Sequence, residues 1–157
     1  MAQIVQNTDG EYGKYIVQTL REPAMIPPEF RELYKKFATR ILWMDADTVP
    51  GAFQMNTAWY RKPQPRDPLF EEHVHDYDEL IGFFGSDPED PYALHAVIEL
   101  SLEGEAHRLD RTSLIFVPGG MKHNPLRLLE VDQPIFHFSV VMDPFYGGEN
   151  AYNVGSK

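Results

Sequence analysis

Apolar and polar residues keep two different periods along this chain. In 27–38, PPEFRELYKKFA, the residues Phe30, Leu33, Tyr34 and Phe37 recur at i, i+3, i+4 and i+7. That spacing predicts one amphipathic helix with a single apolar stripe. Pro28 suits a first turn, where its missing N–H costs nothing, and Lys35 and Lys36 sit near the end, where positive charge complements the helix dipole. After the helix the period shortens to two. The segments 40–48, 52–61, 70–84, 95–104, 105–109, 113–118, 126–131 and 135–141 are rich in alternating, β-branched and aromatic residues and read as strands. Gly, Pro and Asp clusters separate them, and GSDPEDPY at 85–92 reads as a long acidic turn. Short strands punctuated in this way predict an all-β sandwich or barrel. Upstream, YIVQTL at 15–20 is a further candidate strand, whereas the tail 146–157 has no apolar periodicity and is expected to be mobile or packed over a surface.

Composition narrows the function. A length of 157 residues is most economically one domain, long enough to fold without disulfide or structural metal. There is no cysteine, which removes thiolate metal sites and cysteine nucleophiles and fits a reducing compartment. A net charge of −10 argues against duplex nucleic acid or anionic membrane as the main partner. The longest apolar runs, such as LIFV at 114–117, are far too short to span a bilayer, and the first residues lack a signal-peptide pattern. A cytoplasmic protein is the expectation.

Candidate chemistry concentrates in EEHVHDYDEL, 71–80. Read as a strand, it places His73, His75, Tyr77 and Glu79 on one face and Val74, Asp76, Asp78 and Leu80 on the other. Two imidazoles and a carboxylate on one face can take three positions around a divalent ion, and such N and O donors suit Fe, Mn, Co, Ni or Zn. The bland alternative is an exposed polar face. A distant fourth donor weighs against it: FVPGGMKHN, 116–124, carries Pro118, Gly120 and His123, and the tight turn after a strand aims His123 back toward the interior.

Here the sequence resembles the cupin superfamily, whose first motif supplies H-x-H followed by a nearby E and whose second supplies P-x-G-x-x-H. His73, His75 and Glu79 match the first motif and His123 the second, over residues 40–143. The chain departs from the family pattern at Asp67 and Thr112, where the family often has glycine, and at Arg127, where it often has asparagine. Gly85 falls one position early, and SDPEDPY lengthens the connection so that it could rim the cavity mouth. None of these removes a ligand.

The resemblance implies a jelly-roll-type antiparallel barrel at 40–143, an N-terminal extension at 1–39 carrying the helix, and a tail at 144–157. It also implies a homodimer, in which YIVQTL adds to its own sheet or a neighbour's. The helix stripe is expected against the outside or end of the barrel. In the family, the Arg127 position looks into the barrel, so its guanidinium could hold a substrate carboxylate; a surface salt bridge is the alternative. Tyr77 shares the ligand face and could contact substrate or form a cavity wall.

Other residues stay open. His95 is expected at the surface and His107 on a strand edge. His137 lines the cavity if Phe136 and Phe138 face outward, and faces solvent if they face the core. On 52–61, Gln54, Asn56 and Tyr60 share one face and Phe53, Met55, Trp59 and Arg61 the other, and alternation does not say which is inside. The calcium-loop pattern begun by Asp45 and Asp47 fails at Val49 and Pro50. The expectation is therefore one divalent transition metal held by His73, His75, Glu79 and His123 with an open position for a small organic ligand. Oxygenase, isomerase, decarboxylase or lyase chemistry would follow. A non-catalytic ligand-binding sensor or carrier, or a metal that only stiffens the barrel, is the alternative.

Overall fold

The structure, a computed structural model, describes residues 8–146. After a single 3₁₀ turn at Gly13–Tyr15, helix α1 (Pro28–Lys35) is followed by β1 (Ala38–Met44), β2 (Gln54–Tyr60), β3 (Glu79–Phe84) and β4 (Ala93–Leu102). Then come β5 (Glu105–Arg111), β6 (Ser113–Val117), β7 (His123–Val131) and β8 (Ile135–Val141). The strands form two antiparallel sheets, one of five in the order β1-β2-β8-β3-β6 and one of three in the order β5-β4-β7. The all-β expectation holds, as a sandwich of two sheets with one helix; among the described residues the sheets do not close into a barrel.

Burial follows the period of two. On β8, Ile135, His137, Ser139 and Val141 are buried while Phe136, Phe138 and Val140 between them are not. On β2 the buried positions are Gln54, Ala58 and Tyr60. Ladder pairing sets these in rows: Gln54 and Glu79 both face Val141, and Asn56 and Ile81 both face Ser139. The sheet thus presents Glu79, Ser139, Asn56 and His137 toward the core. This settles both alternatives that alternation left open.

The helix stops at Lys35, shorter than its apolar stripe, and Phe37 follows it as a buried residue. Phe30, Tyr34 and Phe37 join the main core, with Tyr34 and Phe37 against Tyr60 at ring separations of 6.3 and 5.8 Å and Phe30 against Phe70 at 5.6 Å. The stripe therefore plugs the sandwich from one end. Among the described residues, 16–20 pair with no strand, and of the tail, 147–157 lie outside the described residues.

The predicted strand 70–84 needs a correction. Only Glu79–Phe84 is a strand; before it, residues 70 and 73 make isolated bridges to Leu126 and His123 on β7. The chain borders the three-stranded sheet there and then crosses to the five-stranded one. The acidic turn 85–92 follows the far end of β3 from Glu79, and does not line the cavity. Thr112 ties it down by donating to the Pro91 carbonyl (2.8 Å) while accepting from the Gly85 amide (3.2 Å). A side chain at Gly85 would strike the Ala93 carbonyl at 2.0 Å.

Candidate metal centre

Backbone bonds bring the two motifs together. His73 and His123 exchange N–H···O bonds of 3.0 and 3.1 Å, and the Gly120 amide donates to the His75 carbonyl at 2.8 Å. Gly120 has φ +85, the left-handed region that favours glycine, and a side chain at Gly119 would meet the Asp76 carbonyl at 2.6 Å. The turn between β6 and β7 is thus locked over the H-x-H segment. The predicted face assignment survives without the strand: His73, His75 and Glu79 are buried, while Val74, Asp76 and Asp78 are exposed. Asp78 instead accepts the Gly119 amide at 2.9 Å.

The donor atoms of His73, His75, Glu79 and His123 all lie within 4.8 Å of one another, and all four residues are buried. Each imidazole uses its Nδ1 on a nearby carbonyl: His73 on Glu71 (3.0 Å), His75 on Tyr77 (2.8 Å) and His123 on Met121 (3.0 Å). A carbonyl only accepts, so Nδ1 carries the proton in each neutral ring and the Nε2 lone pair faces the cluster. The Nε2 atoms of His75 and His123 lie 2.9 and 3.2 Å from the same Glu79 oxygen. Two donors about 2.1 Å from one ion at right angles sit about 3 Å apart, so these separations suit metal ligands. The His123 Nε2 is buried with no hydrogen-bond partner, which a protein rarely leaves so without use. The donor set fits a divalent transition ion.

Charge is arranged to match. Burial alone would raise the Glu79 carboxyl, but contacts from His123 and His75 outweigh it and hold the group at about 2, so it stays anionic. Burial would lower His75, yet Glu79 raises it above its ordinary value; His73 is lowered, chiefly by burial.

Two members of the cluster, Glu79 and His123, line a cavity of about 50 Å³ together with Asn56, Ser139, His137 and Arg40 among others. His137 stacks between Tyr60 and Phe83 at ring separations of 4.8 and 5.0 Å, and its Nδ1 lies 3.1 Å from the Gly82 carbonyl. Burial pushes it down to about 4, so it is a neutral cavity wall at physiological pH.

Not every candidate joins the site. Tyr77 stacks on His75 at 4.1 Å and 12°, supporting a ligand ring. Arg127 is outside the cavity lining, paired with Asp67 (2.6 Å) and Glu99 (3.0 Å), so the surface salt bridge is the arrangement found. His95 and His107 lie 3.4 and 3.3 Å from Asp87 and Glu105, away from the cluster. The Asp45 carboxylate is taken up by the Trp43 indole N–H (2.7 Å) and the Asp47 and Thr48 amides (3.0 Å each).

Two residues escaped sequence reasoning. Tyr146, in the supposed tail, brings its hydroxyl 3.3 Å from the His73 Nε2. Arg40 lines the cavity from β1, and its one visible signal was a charge entering an apolar strand.

No protein family matches the sequence, and no curated protein matches it. Among solved structures, similar folds include an RmlC-like cupin from Shewanella frigidimarina (12% identity, 69% of this chain and 75% of that one, TM-score 0.39). Others are KdgF from Halomonas sp. (17%, 69% and 78%, TM-score 0.40) and the DMSP lyase DddQ from Ruegeria pomeroyi (15%, 92% and 66%, TM-score 0.48). Cupin-type structures are thus among the distant neighbours. Two antiparallel sheets with one helix, and a buried His/Glu cluster joining the two motifs, make this an antiparallel β-sandwich with a candidate metal site.

Proposed function

We propose that this protein is a cytoplasmic, homodimeric, metal-dependent enzyme of cupin type acting on a small organic substrate. The observation that carries the reading is the convergence of three buried imidazoles and the Glu79 carboxylate beside a cavity that Glu79 and His123 line. His73, His75, Glu79 and His123 would hold one Fe, Mn, Co, Ni or Zn ion. Such an ion supplies Lewis acidity, or redox chemistry if it is iron, which leaves oxygenase, isomerase, decarboxylase and lyase reactions as the classes to test.

The surrounding residues do work that needs no choice of metal. The three carbonyl contacts hold the imidazoles in the ligating tautomer, as outer-shell partners do in metal sites. Tyr146, 3.3 Å from His73, is placed to donate or accept a proton at the edge of the cluster. Ser139 and Asn56 offer hydrogen bonds to a substrate lying across the sheet, while Ile81, Phe83 and Leu126 exclude water. The cytoplasmic assignment is supported by the lack of cysteine; among the described residues no helix is long and apolar enough to cross a membrane.

The test is the metal content of protein purified without added or affinity-tag metal, beside a His75→Ala, His123→Ala double variant. About one ion per chain in the wild type, lost in the variant, supports the centre, and the ion's identity selects the reaction class. Equal metal in both, or a wild type that cannot be loaded, would sink it.

A further inference from the structure

The cavity has a cation that no metal motif explains. Arg40 is on the inward face of β1, opposite Ala58, and its side chain is 6% exposed. A buried guanidinium is costly unless its charge is answered, and a leucine would fill such a strand position more cheaply. Its ion-pair partner is Glu22, at 3.6 Å and itself 37% exposed, beyond hydrogen-bond contact. Its planar group lies over the rings of Tyr34 and Trp43 at 4.5 and 5.2 Å, which fixes its orientation without neutralising it. On the cavity side one N–H donates to the Asn56 side-chain oxygen, out of the five that a guanidinium carries.

Charge counting gives the ligand's sign. Among the residues lining the cavity, Arg40 is the one Lys or Arg and Glu79 the one carboxylate. With a divalent ion on Glu79 and three neutral imidazoles, the wall would carry a net +2, inside a chain of net −10. His137 adds nothing, being neutral. A cationic chamber in an acidic protein selects an anion, and the fork of an arginine matches the two oxygens of a carboxylate. The cavity of about 50 Å³ restricts that anion to a few heavy atoms within the chamber.

From this we infer that Arg40, oriented by Asn56, Tyr34 and Trp43, binds the carboxylate of a small substrate whose other end faces the His73, His75, Glu79 and His123 cluster. The substrate class is a short organic acid with a second oxygen donor, such as a dicarboxylate. The inference rests on the metal-dependent reading for the second contact, and on Arg40 alone for the first. Arg40 is the residue that does what the motif position of Arg127 suggested for Arg127.

The test is calorimetric titration of the metal-loaded full chain with malonate and succinate, beside their neutral diamides. At least one dicarboxylate should bind and its diamide should not compete. Arg40→Met should weaken that affinity roughly ten- to hundredfold, the range for losing hydrogen bonds to a charged group, with metal content unchanged. Arg40→Lys, which keeps the charge and loses the fork, should fall between. Should Arg40→Met fail to fold, the acid-versus-diamide preference of the wild type and the Arg40→Lys loss decide alone. A wild type that binds neither acid, or binds acid and diamide equally, or an Arg40→Met protein with undiminished affinity, overturns the proposal. Repeating the titration on metal-free protein separates it from the metal reading. If no metal can be loaded but succinate is still preferred to succinamide and Arg40→Met abolishes the preference, only the metal reading fails.

Discussion

The Arg127 Nε donates to the Asp67 Oδ1 at 2.6 Å. These are two of the positions at which the chain departs from the cupin pattern, and the structure pairs them with each other. Asp67 stands before the first motif and Arg127 after the second, so the bond ties the two segments across 60 residues. Glu99 on β4 holds the other side of the guanidinium at 3.0 Å. Asp67 is 70% exposed, and exposed pairs of this kind are worth up to about 1 kcal/mol. Arg127→Met should therefore change unfolding free energy by at most about 1 kcal/mol and leave metal content and dicarboxylate affinity as in the wild type. A large loss of ligand affinity in calorimetry would return Arg127 to the site.

What the sequence made legible was periodic or local. The helix stripe, most of the strands, and the face shared by His73, His75 and Glu79 follow from spacing of 3.6 or two. His123 was legible because proline and glycine leave a turn signal beside it. What escaped depends on long-range placement. Alternation on β8 defines two faces but not which is inside, and pairing with β2 and β3 decides it for His137. Arg40 merely opens the predicted strand 40–48, and only its packing against Tyr34 and Trp43 shows it buried. Tyr146 reaches His73 across 73 residues, beyond any periodic signal. The strand expected over 70–84 failed because the chain must change sheets before β3, and isolated bridges to β7 take the place of a ladder.

Metal affinity should fall with acid. Glu79 raises the His75 imidazole above its ordinary value, so in the metal-free protein a proton occupies that site at a higher pH than on an ordinary imidazole. A ligating imidazole must be neutral, so metal binding displaces the proton. Competition titrations with a chelator at pH 6, 7 and 8 should show affinity weakening by up to about tenfold per unit for each proton displaced. Affinity that is flat over this window would show that His75 is not a ligand.

Stability should carry the signature of His137. Burial holds its imidazole at about 4, against about 6.5 in an unfolded chain, so the folded state favours the neutral ring. Its contribution is fully present above about pH 6.5 and is lost as pH falls toward 4, because the unfolded chain takes up the proton first. The loss amounts to roughly 3 kcal/mol between pH 7 and 4. His73 is shifted in the same direction, so the informative quantity is a difference. Urea unfolding of wild type and His137→Leu across this range should show their gap closing by about that amount as pH falls. Parallel pH profiles would mean that His137 is exposed enough to titrate normally in the fold.

The outer face of the five-stranded sheet bears on the proposed homodimer. Its outward positions, among them Met55, Trp59, Phe136, Phe138, Leu114 and Phe116, include no charged residue on any of the five strands. Trp59, Phe136, Phe138 and Phe84 form a chain of ring contacts there, at separations of 5.6 to 6.3 Å. A side chain at Gly82 would strike the Phe138 ring at 2.3 Å, so this position is kept bare for it. Leu114 and Phe116 stand 62% and 61% exposed at the sheet's edge. Two chains of net −10 repel except where charge is missing, and a sheet face about five strands wide approaches the roughly 800 Å² per partner that stable association needs. A second copy packed face to face is the occupant that this surface suits. Sedimentation velocity should give twice the chain mass for wild type and once the chain mass for a Leu114→Lys, Phe116→Lys variant, with metal content retained because both positions face away from the cluster. A wild type that sediments as a single chain at micromolar concentration would remove the homodimer, and a variant that still pairs would move its interface elsewhere.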